Sequence, residues 1–235
     1  MTDNDSLPNL AICMVTYNRT AEALKTLRST IKNLGYPKDK IGWYIADDGS
    51  DDKHHSALLK ELNKNDLRIL GEHNERIRKE GEQDTYNAGK GWNLGLGICH
   101  QFSDFVLWLE DDWNLEKPLD LIPYVKILQE REDVGVLTFR ILSIGADVFT
   151  QGYDGHIYLD YKKTTQYAYS GNPYLRHARF TRHVGWFAED RSPGLIELEM
   201  DDKFRASADG IAIWRPVEIS IWGGWAHIGT EKTWG

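Results

Sequence analysis

An acidic run at residues 110–112 directly follows the apolar segment Phe105–Leu109, which predicts a buried β-strand. The acids are Glu110, Asp111 and Asp112. Clustered carboxylates repel one another and burial disfavours their charged forms, so such a group needs a bound cation, a paired base or full exposure. Mg²⁺ and Mn²⁺ prefer oxygen ligands and commonly bridge carboxylates to substrate phosphates. Alone, the run is also typical of a solvated turn.

Two further polar clusters follow predicted strands in the first half of the chain. Thr16–Arg19 comes after the apolar run Leu10–Val15. Asp47–Ser50 comes after Ile41–Ala46, although this cluster alone is typical of a capped turn. In open α/β sheets, ligands bind beyond the carboxyl ends of the strands. The three clusters together therefore predict one ligand site at that edge of a sheet.

Strands and helical patterns alternate over this first half. Further strands are predicted at 67–70 and 134–139, and helices at Thr20–Leu34, from Asp51 or Asp52 to Leu62, at Thr85–His100 and at Pro118–Glu130. The alternation predicts an α/β fold with a mostly parallel central sheet and helices on both faces. Because no glycine-rich dinucleotide or Walker loop follows a strand, simple NAD-dependent and NTPase functions are disfavoured.

After residue 140 the pattern becomes less regular. Short hairpin strands are predicted within 147–169, a helix at Glu199–Ala208, and two short strands within 211–221. The chain contains no linker or internal repeat. Residues 1–235 are therefore predicted to form one domain, with a regular half at 9–140 and a less regular half at 141–235.

Composition narrows the class of protein. The 235 residues carry a formal net charge of −8, which makes nucleic acid an unfavourable partner. The first nine residues lack the features of a secretory signal, and no apolar run approaches the roughly 20 residues of a membrane helix. The two cysteines, Cys13 and Cys99, lie in apolar or helical segments and are expected to be buried reduced thiols. These features predict a cytoplasmic protein without a membrane span.

Four motifs resemble, in the same order, those of family 2 glycosyltransferases with the GT-A fold. They are Val15–Arg19 (VTYNR), Ala46–Asp52 (ADDGSDD), Asn87–Gly95 (NAGKGWNLG) and Leu109–Asp112 (LEDD). The resemblance covers residues 9–140 well and the remainder loosely. It implies a metal-dependent, inverting transfer of a sugar from a nucleotide sugar, UDP-linked by default, to an acceptor hydroxyl. The implied cofactor is Mn²⁺ or Mg²⁺.

The resemblance also assigns roles to residues of the first half. It implies that Tyr17 packs on the nucleobase, that Asp48 accepts a hydrogen bond from the base, and that Asp111 contacts ribose or sugar. Asp112 is the implied metal ligand. Glu110 is a second candidate ligand, although many relatives carry aspartate there in an Asp-x-Asp pattern. The other candidates for nucleotide-sugar contact are Thr16, Arg19, Asp47, Arg76, Asn87 and Asn93.

An inverting transferase needs a general base that deprotonates the acceptor hydroxyl. In the family this is an acid near the start of a helix in the second half. Asp201 is the first candidate, with Asp202 and Glu199 as alternates and Glu189–Asp190 as a competing site. All of them are also compatible with simple helix capping.

Three further features of the second half are open to more than one interpretation. His227 resembles the late histidine that closes the site in many GT-A enzymes, and imidazole suits Mn²⁺ as a ligand. Arg176, Arg179 and Arg182 have helical spacing and predict either a site for an anionic acceptor, a lid over the diphosphate, or a balance to nearby acids. Trp113, beside the acids, is the best candidate for sugar stacking.

Two alternative functions are kept at this point. A nucleotidyltransferase that makes sugar nucleotides would need a glycine-rich loop after the first strand, and Thr16–Arg19 contains no glycine. A non-catalytic carbohydrate-binding protein on the same fold is the second alternative. The expected acceptor is a glycan, a lipid-linked sugar or another hydroxyl compound.

Overall fold

The computed structural model describes residues 7–74, 88–139, 148–161, 168–189, 191–207, 211–218 and 224–229. The α-helices in this part of the chain are α1 (Thr20–Asn33), α2 (Asp52–Lys64), α3 (Ala88–Phe102), α4 (Ile122–Glu130), α5 (Ala178–Val184) and α6 (Pro193–Ala206). The strands are β1 (Leu10–Thr16), β2 (Leu34–Gly35), β3 (Ile41–Asp47), β4 (Arg68–Asn74), β5 (Phe105–Glu110), β6 (Trp113–Leu115), β7 (Leu119–Asp120), β8 (Val134–Thr138), β9 (Val148–Tyr153), β10 (His156–Tyr161), β11 (Tyr174–His177), β12 (Ala212–Pro216) and β13 (Trp225–His227).

A large mixed sheet forms the centre of the fold, in the order β4-β3-β1-β5-β11-β8-β12-β10-β9. The strands β4, β3, β1 and β5 are mutually parallel, and β8 and β12 run in the same direction. The strand β11 runs antiparallel between β5 and β8. Apolar side chains cover both faces of the sheet, which explains why its central strands are continuously apolar. The predicted α/β architecture is confirmed.

Parallel pairing brings the predicted polar clusters to one edge. The register places Thr16 opposite Asp47 and Val15 opposite Glu110. This is the edge at which β1, β3 and β5 end, and we call it the carboxyl edge. The strands β8 and β12 also end there, at Thr138 and Pro216, so both halves of the chain contribute to it.

Three sequence predictions of local structure are wrong. The helix predicted from Pro118 begins at Ile122 with Pro123 in its first turn, because Pro118 precedes the short strand β7. The helix predicted from Glu199 begins at Pro193. The segment Tyr174–His177, where the spacing of Arg176 from Arg179 indicated a helix, is the fully buried strand β11 at the centre of the sheet.

The basic stripe predicted on one helix is also wrong. Arg176 is buried on β11, whereas Arg179 belongs to α5 and bonds the backbone oxygens of Leu128 and Arg131. Because His177 on β11 pairs with Phe105 at the start of β5, α5 begins at the edge opposite the acids. The stripe therefore does not form a lid over a diphosphate at the carboxyl edge.

Helix α3 packs closely against the segment that precedes residue 190. A Cβ atom added to Gly89 would lie 1.9 Å from the backbone oxygen of Ala188. A Cβ added to Gly97 in the same helix would meet only Trp186, at 3.8 Å. Close backbone approach therefore requires glycine at 89 and not at 97.

Gly89→Ala is expected to lower the free energy of unfolding by about 1–3 kcal/mol, because the backbone must shift to admit the methyl group. Gly97→Ala is the matched control and should raise it by up to about 1 kcal/mol through helix propensity. Urea denaturation of both variants measures the difference. Equal stabilities would show that α3 does not pack on Ala188 in this way.

His177 caps α5 in its neutral form. The His177 Nδ1 atom accepts a hydrogen bond from the Arg179 backbone N–H, at 3.1 Å, so this nitrogen must be unprotonated. Burial, and then the charge of Arg179, lower the pKa of His177 to about 4. Its unfolded pKa is about 6.5, so the unfolded chain binds the extra proton between these two values.

Stability should therefore fall as the pH is lowered from 6.5 towards 4, and His177→Asn should reduce the fall. Asparagine can still cap the helix but does not titrate. We expect the wild type to lose about 2 kcal/mol more than the variant between pH 7 and pH 4.5. Urea denaturation at the two pH values is the measurement, and parallel losses would contradict the assignment.

Both cysteines are buried and free, as predicted. None of the helices in the described ranges is long and apolar enough to cross a membrane.

Candidate active site

Two of the acids that follow β5 are paired with an arginine from the loop after β1. Asp111 and Asp112 are both buried. The Arg19 guanidinium lies between them, with Nη1 2.5 Å from Asp112 Oδ2 and Nη2 3.2 Å from Asp111 Oδ1. Burial would lower the pKa of Arg19, but the charges of the two carboxylates outweigh it and raise that pKa. Arg19 thus supplies positive charge that the buried acids require.

Asp111 also fixes the loop that carries Arg19. Its Oδ2 atom accepts hydrogen bonds from Thr16 Oγ1, at 2.9 Å, and from the Tyr17 backbone N–H, at 3.1 Å. Burial raises the pKa of Asp111 to about 7, although Arg19 and these donors act in the opposite direction. The carboxylate is therefore occupied by protein groups and holds the ends of β1 and β5 together.

The turn after β3 is organised by Asp47. Its Oδ1 atom accepts hydrogen bonds from the Ser50 backbone N–H, at 2.9 Å, and from Ser50 Oγ, at 2.6 Å. The Asp48 backbone N–H donates to the Thr16 backbone oxygen, at 3.0 Å. Asp47 thus shapes the turn, while Asp48 and Tyr17 lie half-buried on adjacent loops of the carboxyl edge.

The third acid of the run, Glu110, faces the second half of the chain. A Cβ atom added to Gly171 would lie 2.4 Å from Glu110 Oε1 and 2.4 Å from Glu197 Oε1, so these oxygens are at most twice that distance apart. The Gly171 backbone N–H donates to Glu197 Oε1, at 2.7 Å. Burial, and then the charge of Glu197, raise the pKa of Glu110 well above its usual value. The hydrogen bond from Gly171 favours the ionised form of Glu197.

A two-stranded ribbon brings His227 to Asp112. The strands β6 and β13 pair with Trp113 opposite His227, and the Ile228 backbone N–H donates to the Asp112 backbone oxygen. The His227 Nε2 atom lies 3.2 Å from Asp112 Oδ2. The other carboxylate oxygen, Asp112 Oδ1, is buried and has no hydrogen-bond partner in the described part of the chain.

Helix α6 presents two carboxylates one turn apart to the segment before β11. Glu197 accepts from the Gly171 N–H, and Asp201 accepts from the Tyr169 N–H at 3.1 Å. Asp201 is buried and also lies 3.2 Å from Arg205 Nε. Of these two acids, Glu197 lies beside Glu110. Asp201 instead anchors the backbone at Tyr169 to α6.

The alternate candidates on α6 make ion pairs at the surface. Asp202 is exposed and pairs with Arg205, and Glu199 Oε1 lies 2.8 Å from Arg191 Nε. Sequence reasoning missed Glu197 because it began the helix too late. Ser192-Pro193 was the available signal, since serine before proline marks the first turn of a helix.

The remaining predicted residues have other environments or lie outside the described residues. The Asn93 side chain bonds both the N–H and the backbone oxygen of Phe187, so it holds this segment against α3. Trp113 is buried, with its ring centroid 5.2 Å from that of His227. Arg76, Asn87 and Asp190 lie outside the described residues.

Residues 11–188 match the family described as Glycosyl transferase family 2. The chain belongs to glycosyl transferase family 2. The predicted family is confirmed, and with it the class of enzyme, a glycosyltransferase. Glu197 and His227 lie beyond the matched residues, so the argument for them rests on geometry. No match was found among curated protein sequences.

Solved structures resemble this family 2 chain in fold. The crystal structure of S. aureus TarS has a TM-score of 0.59 and 16% identity, and the match covers 88% of this chain and 36% of that one. The mannosyltransferase PcManGT from Pyrobaculum calidifontis, in complex with GDP-Man and Mn²⁺, has a TM-score of 0.56 and 17% identity, covering 90% and 58%. GalNAc-T7 with UDP, GalNAc and Mn²⁺ has a TM-score of 0.60 and 14% identity, covering 98% and 45%. This chain thus spans less than two thirds of each of these proteins, and the likeness supports the GT-A fold.

The candidate active site contains two side chains that could bind a metal ion, Asp112 and His227. In the described ranges, no three His, Cys, Asp or Glu side chains come together to hold a metal. Asp112 and His227 nevertheless adjoin, and Asp112 Oδ1 is an unpartnered buried oxygen. Because Mg²⁺ and Mn²⁺ are commonly held by one or two carboxylates together with substrate phosphates, these two residues fit such an ion.

Proposed function

We propose that this protein is a metal-dependent, inverting glycosyltransferase that uses a nucleotide sugar, with UDP as the expected nucleotide. The observation that carries the proposal is Asp112, whose buried, unpartnered Oδ1 atom lies at the carboxyl edge beside His227. Such an oxygen favours a bound cation, because a buried carboxylate oxygen without a partner is costly. The fold is shared with TarS, solved with UDP-GlcNAc, and with PcManGT, solved with GDP-Man and Mn²⁺.

In the proposed site, the first half of the chain binds the nucleotide. Tyr17 supplies an aromatic face for the base, and Asp48 supplies an acceptor at its edge. Asp47 and Thr16 keep these two loops in place. Arg19, which already bridges two acids, lies where it can also contact a phosphate. Regions 9–140 and 141–235 are proposed as the donor and acceptor sides of one domain.

Glu197 is the proposed general base. It is beside Glu110 at the carboxyl edge, and the Gly171 N–H favours its charged form. Burial and the nearby charge of Glu197 raise the pKa of Glu110, because two adjacent carboxylates disfavour being ionised together. Glu197 takes the proton of the acceptor hydroxyl while the acceptor oxygen bonds to the anomeric carbon. The bond from that carbon to the diphosphate breaks on the opposite face, which inverts the configuration.

Asp112 and His227 are the residues that would hold Mn²⁺ or Mg²⁺. When bound, the ion supplies positive charge for the departing diphosphate. The cytoplasmic location inferred from the cysteine content stays a prediction.

Arg19 and a metal ion are expected to compete for the same carboxylates. Arg19→Met should therefore tighten Mn²⁺ binding at least about tenfold, because it removes a cation in contact with both acids. It should also lower the melting temperature in the absence of Mn²⁺, with recovery when Mn²⁺ is added. Calorimetric titration without nucleotide measures the affinity.

Arg28→Met is the matched control for this experiment. Arg28 forms a comparable pair with Glu61, with Nη2 2.7 Å from Oε2, but lies away from the acids of the carboxyl edge. Weaker Mn²⁺ binding in Arg19→Met would mean that Arg19 orients Asp112 for the metal instead of competing with it.

The proposed function is tested by thermal melting with UDP, GDP, CDP and dTDP, each with and without Mn²⁺. A nucleotide at 100 times its Kd should stabilise the protein by about 2.7 kcal/mol, a shift of roughly 5–10 °C. We expect one nucleotide to act, and only with the metal. Hydrolysis of the corresponding nucleotide sugar would then separate an enzyme from a binding protein. No shift with any nucleotide would overturn the proposal.

A further inference from the structure

A pocket opens at the carboxyl edge, beside the ribbon formed by β6 and β13. Its volume is about 340 Å³, within the range of small-molecule sites. Lys117, which follows β6, and Gly224, which precedes β13, line it at one end of the ribbon. Asp112 and His227 lie at the other end. The pocket and the candidate metal site are thus joined by one structural element.

The pocket contains a carboxylate that the protein holds in a fixed position. Glu218 follows β12, and its Oε1 atom accepts a hydrogen bond from Tyr124 Oη at 2.7 Å. Its Oε2 atom lies 2.8 Å from Nδ1 of His156, at the start of β10. Tyr124 is itself buried in the first turn of α4. Two separate elements, α4 and β10, therefore fix the Glu218 side chain, which makes it a preorganised acceptor for a ligand.

The rest of the lining selects a class of ligand. Pro118, Leu119 and Pro123 form apolar walls, while Lys117 and Asp120 place one charge of each sign at the pocket. Two carboxylates disfavour a phosphate or other anion. Apolar surface beside fixed hydrogen-bonding groups suits a ring with C–H faces and hydroxyl groups, which is the chemistry of a neutral sugar.

A ligand in this pocket would lie away from the position expected for the transferred sugar, which is beside the acids. The ribbon strands are three residues long, and a strand rises about 3.3 Å per residue, so the end of the pocket lined by Lys117 and Gly224 lies roughly 10 Å from Asp112. A sugar bound there is too far from the acids to be the reacting group of the donor. It fits a neighbouring unit of a longer acceptor.

We propose that this pocket binds a neutral hexose unit of the acceptor, which makes the acceptor a glycan. The inference rests on the proposed glycosyltransferase function and extends it to the acceptor class. Glu218 accepts hydrogen bonds from ring hydroxyls, and the proline walls pack against the C–H face of the sugar.

Saturation-transfer NMR with the methyl glycosides of glucose, galactose, mannose and N-acetylglucosamine tests the proposal without any donor present. At least one glycoside should bind the wild type, and Glu218→Gln should bind it about tenfold or more weakly, because hydrogen bonds to a charged group are lost. Glu130→Gln is the matched control, since Glu130 likewise accepts a hydrogen bond from a tyrosine, Tyr153. It should bind as the wild type does.

A second measurement needs no variant. Amide shift changes on addition of the glycoside should centre on Leu119, Asp120 and Gly224. Binding that is equal in Glu218→Gln, shift changes elsewhere, or no binding of any of the four glycosides would overturn the inference. UDP and Mn²⁺ titrated into the same samples keep the two proposals apart. Nucleotide binding without glycoside binding would contradict only the proposal for the pocket. Absence of both would contradict the proposed function as well.

Discussion

Asp112→Asn is expected to lower kcat for sugar transfer by about 10³-fold and to abolish the Mn²⁺-dependent binding of nucleotide. The change removes the charge that faces both Arg19 and His227 while keeping the shape of the side chain. Loss of one preorganised electrostatic group in an active site costs about 10²–10³ in kcat, and here metal binding is lost as well. The variant should stay folded, because asparagine can still bond Arg19.

Asp133→Asn is the matched control for this variant. Asp133 pairs with Arg131, with Oδ2 2.7 Å from Nη2, as Asp112 pairs with Arg19, but it precedes β8 at the opposite edge of the sheet. We expect its kcat and its nucleotide affinity to match the wild type. Turnover by Asp112→Asn at the wild-type rate, with Mn²⁺ still required, would place the metal elsewhere.

Glu197→Gln is expected to lower kcat by about 10²–10⁴-fold with little change in the affinity for the nucleotide sugar, because a general base acts on the acceptor alone. Glutamine still accepts the Gly171 N–H but cannot take a proton. Steady-state kinetics with donor and acceptor varied separately, together with the nucleotide Kd, measure the two effects. The pH dependence of the residual rate should lose its acidic limb.

Glu199→Gln and Asp201→Asn distinguish Glu197 from the bases predicted by sequence. Glu199 faces Arg191, so its variant should keep kcat within about twofold. The buried Asp201 carboxylate accepts a hydrogen bond from the Tyr169 N–H, and asparagine would weaken this bond. The Asp201→Asn variant should therefore melt at a lower temperature. If Glu199→Gln lost activity and Glu197→Gln kept it, the assignment of the base would move to Glu199.

The first half of the fold was predictable because its signals are local. Each of β1, β3 and β5 is an apolar run that ends in a polar cluster, and parallel pairing alone brings those clusters together. The second half was harder. The strand β11 has only four residues, and its burial depends on β5 and β8, which lie far away in sequence. Short strands of this kind leave no period to detect.

The candidate site also combines residues that local sequence predicted with residues that depend on distant contacts. Asp111 and Asp112 were predicted as clustered carboxylates, and a paired base was one of the expected remedies. That the base is Arg19 depends on a tertiary approach across 93 residues, which no local pattern contains. Glu197 was missed because an error in the start of α6 removed a whole helical turn from consideration.

The ribbon of β6 and β13 has a consequence for the order in which the protein matures. It brings His227 beside Asp112, a residue 115 positions earlier in the chain. During synthesis at about 5–20 residues per second, β1, β3 and β5 have all emerged roughly 6–20 seconds before β13. The growing chain can therefore form much of its sheet while the site still lacks His227. On the proposed function, binding of the metal requires β13 to pair with β6, which is a separate and later event than the assembly of β1, β3 and β5.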